Sequence, residues 1–201
     1  EPFIKGELTK EANFKVTGVL NGAEIDHETA LSMQQTAAAA QTEASINLAK
    51  KDFSIDAWVN LDGEGILLSH GQGAQKLSVG TNADHQLVVN IAGQTYTSAN
   101  AVPTDKWAFL TLSYHAGATG GNLSATVADD ANETTLFSGK EVAAYDGNGP
   151  LTVGANAKGA IHELLLWDEA HDLAGALLNR SRSKAPSTRH LIGYWKMNEG
   201  E

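Results

Sequence analysis

The sequence predicts an all-β protein, a two-sheet antiparallel β-sandwich with one short helix near the C-terminus. Three observations predict it. Apolar and polar residues alternate over several short runs, which is the period of a half-buried strand. Turn-forming clusters separate those runs: DGEG from Asp62, GQG from Gly71, TNAD from Thr81, GATGGN from Gly117, DDAN from Asp129 and DGNG from Asp146. Strands at such spacing, with turn chemistry between them, build sandwiches. Finally, Gly 20 with only 4 Pro and 19% charged residues suits many short strands joined by turns, and no strand–helix–strand rhythm appears.

The elements follow in chain order. Residues 1–13 are polar and mixed in charge, which predicts a linker or lead strand, with the sandwich occupying residues 14–201. TAAAAQT, residues 36–42, is low in complexity but too short to mark a domain boundary. FSIDAWVNL places Phe53, Ile55, Ala57, Val59 and Leu61 on one face and Ser54, Asp56, Trp58 and Asn60 on the other. QLVVNIA groups Leu87, Val89 and Ile91. WAFLTLSYH sets Ala108, Leu110, Leu112 and Tyr114 against Trp107 and Phe109, and NLSATVAD groups Leu123, Ala125 and Val127. GILLSH, QKLSVG, TTLFSG and LTVG fill the intervals. Residues 169–183 predict the helix, with Asp168 as N-cap and Leu173 and Leu177 at i, i+4. Acidic residues lead it and Arg180, Arg182 and Lys184 close it, which complements the helix macrodipole. Pro186 ends it, and LIGYWKMN returns to strand.

Composition narrows the function. Lys+Arg 14 against Asp+Glu 24 gives a net charge of -10, so phosphate backbones and anionic lipid surfaces would be repelled. Cys is 0, which removes disulfides, Cys-ligated zinc and thiol catalysis. No apolar run approaches the length that spans a bilayer. The chain begins at Glu1 without Met, so it is expected to be a piece of a longer polypeptide.

Several segments are similar to one family. FSIDAWVNL, GILLSHG, PTDKWAFLTLSY, LTVGAN and GAIHELLLWDEAHD resemble, in order, the signature strands of laminin-G-like, concanavalin A-like jelly-roll domains. LIGYWKMNEGE resembles the segment where one such domain closes and a following module opens. The resemblance covers residues 53–201, and residues 1–52 carry little of it. It implies a jelly roll within an exported bacterial protein, located extracellularly, at the cell surface or in the periplasm. It further implies a non-catalytic module binding carbohydrate or glycoconjugate, with a structural or protein-interaction spacer as the alternative. Expected partners are a glycan or another protein and neighbouring modules of the same polypeptide, with no nucleic acid and no membrane insertion.

Relatives often hold calcium through an Ile-Asp-Glu segment, which here reads Ile161-His162-Glu163. An imidazole is a poor substitute for the oxygens that calcium requires, and on a regular strand Glu163 faces away from residue 162. No cofactor or metal is therefore expected, and calcium stays open as the alternative. The Asp146-Gly147-Asn148 and Asp129-Asp130 turns carry oxygens, but these are ordinary turn residues.

The remaining motifs are weighed against simpler readings. EIDHE resembles the motif of retaining β-glucanases, and on one strand Glu24, Asp26 and Glu28 would share a face. A hydrolase using Glu24 and Glu28 is thus a second alternative, although His27 stands where an apolar residue is expected and the upstream Trp is missing. Surface acidity explains the segment as well, and no catalytic residue is assigned. LLLWDEAHD resembles a helicase motif but lacks a P-loop to accompany it. The histidines (His27, His70, His85, His115, His162, His171, His190) show no zinc spacing and are read as surface or turn residues. Trp58, Trp107, Trp167 and Trp195 are read as packing residues, with Trp58 the one candidate for stacking on a sugar. No ligand-binding residue is singled out.

Overall fold

The computed structural model describes residues 14–16, 21–25, 28–34, 39–182, 184–185 and 187–197. Two antiparallel sheets form a sandwich. Seven strands build the first sheet, in the order β1 (Phe14–Val16), β4 (Ala40–Thr42), β15 (Leu151–Val153), β7 (Gly65–His70), β8 (Leu77–Thr81), β9 (Gln86–Ile91) and β10 (Gln94–Ala101). Eight build the second, in the order β13 (Glu133–Val142), β12 (Gly121–Ala128), β11 (Ala108–Ala116), β6 (Phe53–Leu61), β16 (Lys158–Trp167), β3 (Glu28–Gln34) and β2 (Asn21–Ile25), with β17 (Leu191–Trp195) beside the far half of β16. A short pair, β5 (Ile46–Asn47) and β14 (Asn148–Gly149), joins the ends of the layers. The helix α1 spans Leu173–Leu178. No helix among the described residues is long and apolar enough to cross a membrane.

The alternation places the core where the sequence puts it. Across the seven-stranded sheet the inward row runs Ala40–Val153–Leu68–Val79–Val89–Tyr96 by strand register. The second sheet answers with Ala125–Leu112–Ile55–Leu166 and Leu123–Tyr114–Phe53. These residues, Tyr96 apart, are nearly inaccessible to solvent. Inside, Phe53 stacks on Tyr114 with centroids 5.0 Å apart, and Tyr145 meets both edge-on, a preferred aromatic geometry.

Three expectations are corrected. The helix is six residues long and begins after Asp172, not Asp168: the Asp172 carboxylate accepts the Gly175 N–H at 3.0 Å. Residues 168–171 are spent elsewhere, because Ser54 Oγ donates to the Glu169 carbonyl at 2.7 Å and accepts the His171 N–H at 3.0 Å. The polar face of β6 is not solvated either. Ser54 and Asp56 are buried beneath that same segment. Thirdly, Glu24 and Glu28 do not share a strand. Glu24 lies on β2 opposite Thr29 and Glu28 on β3 opposite Ile25, so the chain reverses between them at an edge of the sheet. Asp26, His27 and residues 1–13 lie outside the described residues.

Two histidines also depart from the surface reading. His70 is 1% exposed, with Nδ1 2.6 Å from Tyr145 Oη and Nε2 2.7 Å from the Ile46 carbonyl. A carbonyl only accepts, so Nε2 carries the proton. Burial holds the ring's pKa below its ordinary value, and Nδ1 of the neutral ring accepts a hydrogen bond from the Tyr145 hydroxyl, which also lies 3.1 Å from the His70 carbonyl. His171 is the other exception.

Candidate functional site

The outer faces of the two sheets each carry a cleft. On the seven-stranded sheet, strand register aligns polar side chains into one row, Gln41–Thr152–Ser69–Ser78–Asn90–Thr95, which crosses six strands. Directly opposed residues share a face, so this row lies on the side of the sheet away from the core row beside it; Ser69 and Ser78 within it are themselves buried. Asn90 Nδ2 donates to Ser78 Oγ at 3.1 Å, and Thr95 Oγ1 donates to Asn90 Oδ1 at 2.5 Å. Asn90 keeps a second amide N–H and a second carbonyl lone pair for a ligand.

Beside the row lies a cleft of about 490 Å³, with Ile66, Gly80 and Val88 as its floor and Thr81, Asn82 and Asn156 on its rim. Glycine makes that floor. Leu67 is an extra residue in β7 between the Ile66–Gly80 and Leu68–Val79 pairs, a bulge that turns the Gly65 carbonyl over Gly80. A Cβ on Gly80 would collide with that carbonyl oxygen. Asn82 is held by its turn, its Oδ1 accepting the N–H groups of Asp84 and Gln86. Of the residues lining the cleft only Glu64 is acidic.

The second cleft, about 250 Å³, lies between the eight-stranded sheet and the segment 168–185. Asp56, at the sheet centre, accepts the Trp167 indole N–H at 2.9 Å through Oδ2. Its Oδ1 lies 3.2 Å from His171 Nε2 without an aligned hydrogen bond. Thr111 Oγ1 is 3.2 Å from the same nitrogen. A hydroxyl–imidazole–carboxylate relay needs the two partners on different ring nitrogens, so this cluster is not one.

A bulge opposite Ala57 turns Glu163 (φ 51°) onto this outer face, where its Oε1 accepts from Tyr194 Oη at 3.0 Å. The regular-strand expectation for Glu163 is therefore corrected: it lines the cleft. Trp58 is engaged in packing. Its ring meets Phe109 edge-on at 5.5 Å, its indole N–H donates to the Arg180 carbonyl at 3.2 Å, and it packs with Leu177 and Ala176 of α1. Trp167, read only as packing, forms a wall of the cleft.

Calcium takes six to eight oxygen ligands. Among the described residues no three His, Asp or Glu side chains gather in metal-binding geometry. Asp129 is engaged on both oxygens, by the Ala131 and Asn132 N–H groups on one and Lys106 on the other. The Lys106 ammonium and those two amides hold its carboxyl down at about 2.

This two-sheet jelly roll is that of the concanavalin A-like class. A laminin G family model described as the concanavalin A-like lectin/glucanases superfamily matches residues 34–174, and the chain belongs to that family. No curated protein matches the chain in sequence. Among solved structures it is similar to a "putative carbohydrate binding protein" from Bacteroides ovatus, with 14% identity and a TM-score of 0.57 over 85% of this chain and 53% of that one. It is also similar to Trypanosoma rangeli sialidase, with 14% identity and a TM-score of 0.56 over 81% of this chain and 29% of that one. The chain thus spans about half the length of the first and under a third of the second. At such identity the likeness is one of fold.

Proposed function

We propose that the chain is a non-catalytic carbohydrate-binding module whose ligand, a neutral glycan, lies along the Ser78–Asn90 row. One observation carries this reading: the amide and hydroxyl side chains that register aligns across the seven-stranded sheet, bordering a cleft with an apolar floor. Sugar hydroxyls both donate and accept, so Asn and Ser or Thr side chains answer them, while Ile66 and Val88 meet the apolar face of a ring. Hydrolysis of a glycosidic bond by either stereochemical route uses a pair of carboxyl groups across the bond. A cleft with Glu64 as its one acidic lining residue favours binding over turnover. Such a module acts where polysaccharide is met, and we place it in the exported or surface-anchored part of a longer polypeptide.

A glycan-array screen, run with calcium and again with chelator, tests the proposal. The expected result is a reproducible neutral-glycan signal that chelator leaves unchanged and that Asn90→Ala abolishes. A blank array, or a signal indifferent to Asn90→Ala, contradicts it.

A further inference from the structure

Strand register sets Ile66, Gly80 and Val88 side by side across β7, β8 and β9, and all three line the cleft on the seven-stranded sheet. Gly80 carries no side chain. Ile66 and Val88, both half-buried, therefore flank a gap about two strand spacings wide, roughly 10 Å between their backbones. Their side chains narrow it to about the size of a methyl group in van der Waals contact on both sides. The Gly65 carbonyl oxygen stands where a Gly80 Cβ would be, so a hydrogen-bond acceptor lies at the bottom of the gap. A carbonyl oxygen has two lone pairs, and one engaged in the strand ladder still accepts a second bond. Asn90, opposite Ser78, is the diagonal neighbour of Gly80 at about 7–8 Å. Its amide gives one N–H to Ser78 and keeps the other as a donor at the cleft. Among the described residues lining the cleft none is aromatic and none is Lys, Arg or His, while Glu64 is exposed.

We propose that this cleft selects an uncharged 2-acetamido sugar. The acetamide N–H donates to the Gly65 carbonyl, the methyl sits between Ile66 and Val88, and the acetamide oxygen accepts from the Asn90 amide. The inference rests on the reading of the chain as a carbohydrate-binding module and deepens it at the same site, by naming the apolar group that Ile66 and Val88 meet beside the ring. A trans amide puts its methyl and its N–H on one side of the C–N bond and its oxygen on the other. The floor thus takes the first two together, and Asn90 takes the third. The lengths agree. With hydrogen bonds of about 2.9 Å at either end and about 2.3 Å between its own N and O, the bound amide spans about 8 Å, the diagonal from Gly80 to Asn90. A hydroxyl at the same ring position supplies no methyl and reaches only one of the two partners. An acidic acetamido sugar would meet Glu64 with no cation to answer its charge.

The test is an amide-resolved NMR titration of the whole chain with tri-N-acetylchitotriose, the glucosamine trimer and cellotriose. These share one β-1,4-linked backbone and differ only in carrying acetamide, ammonium or hydroxyl at C2. Methyl glycosides of N-acetylgalactosamine and N-acetylmannosamine, each beside its parent hexoside, cover the epimers. At least one acetamido sugar is expected to shift the backbone amides of Gly65, Ile66, Gly80 and Val88 and the side-chain amide of Asn90. Its hydroxyl counterpart should bind at least about tenfold more weakly, having lost a buried methyl and a hydrogen bond. Val88→Thr keeps the side chain's shape and replaces one methyl with a hydroxyl. It should weaken the acetamido sugar about fourfold and leave the hydroxyl counterpart unchanged.

Three results would overturn the inference: hydroxyl counterparts that bind as tightly as every acetamido sugar, preference for the glucosamine trimer, or acetamido-dependent shifts that fall away from Gly80 and Asn90. Failure here is separable from failure of the binding-module reading. A hexoside without acetamide that shifts Ser78 and Asn90 as strongly removes the acetamido selectivity and leaves the module. Absence of any signal at Asn90, from these sugars and from every glycan the array selects, removes the module reading and this inference with it.

Discussion

Asp56 shows how much one buried carboxylate organises. Its alternation on β6 was legible in the sequence, but its burial was not, because the cover comes from a segment more than a hundred residues later in the chain. Asp56→Ala should leave the Trp167 indole N–H buried without a partner, at a cost of about 1–3 kcal/mol, read as a lower urea midpoint with an unchanged slope. Two other residues set the acid response. The folded state keeps His70 neutral, so below its ordinary 6.5 the unfolded chain takes up a proton that the folded state refuses, and stability falls with pH. Asp129 acts in a lower window. Its carboxyl, held at about 2 against an ordinary 3.8 mainly by Lys106, contributes stability above the upper value and loses it as pH falls through the lower. Stability measured by denaturant across pH should therefore decline in two stages. His70→Gln should flatten the first and Asp129→Asn the second; a single stage unaffected by either variant would contradict the assignment.

Among the elements, the segment 168–185 behaves as a strap. Its first residue is tied to His190, five residues past its far end, by the Asp168 N–H to the His190 carbonyl and by His190 Nδ1 to the Asp168 carboxylate, both within hydrogen-bond distance. Its middle is pinned through Leu177 on Phe109 and Trp58. The sequence shows helix spacing here, but the bonds from Ser54 hold Glu169 and His171 out of it, and the helix runs only from Leu173 to Leu178. The basic run 180–184 reads as dipole complement from sequence alone, whereas in the fold it lines a cleft. Leu177→Ala should cost roughly 2–5 kcal/mol as a buried leucine truncation and red-shift Trp58 fluorescence. A full-value cost without a fluorescence change would place Leu177 elsewhere. On the opposite sheet, Gly80→Ala drives a Cβ into the Gly65 carbonyl. Overpacking of that kind costs about 1–3 kcal/mol, so a variant as stable as the parent in thermal melts would contradict the bulge geometry.

At the scale of the whole molecule, the sandwich was legible because each strand carries its own alternation: Phe53 to Leu61 or Leu87 to Ile91 declare a core face without reference to any partner. The candidate site was not, because its six residues are scattered from Gln41 to Thr152 and become a row only when six strands pair in register. None of them is aromatic or charged, so none stands out singly. The EIDHE segment fails for the complementary reason. A motif read along one strand spans a hairpin, and strand reversal is invisible to residue spacing. The sequence resemblance gave a family without a ligand, and the register of the seven-stranded sheet supplies the place to look for one. The most direct test is an NMR titration of the isotope-labelled chain with a neutral oligosaccharide selected by the glycan array, followed through the backbone amides. Shifts concentrated at Ser78, Gly80, Val88 and Asn90, lost in Asn90→Ala, are the predicted result. Shifts confined to the loops or to the eight-stranded sheet would contradict the account.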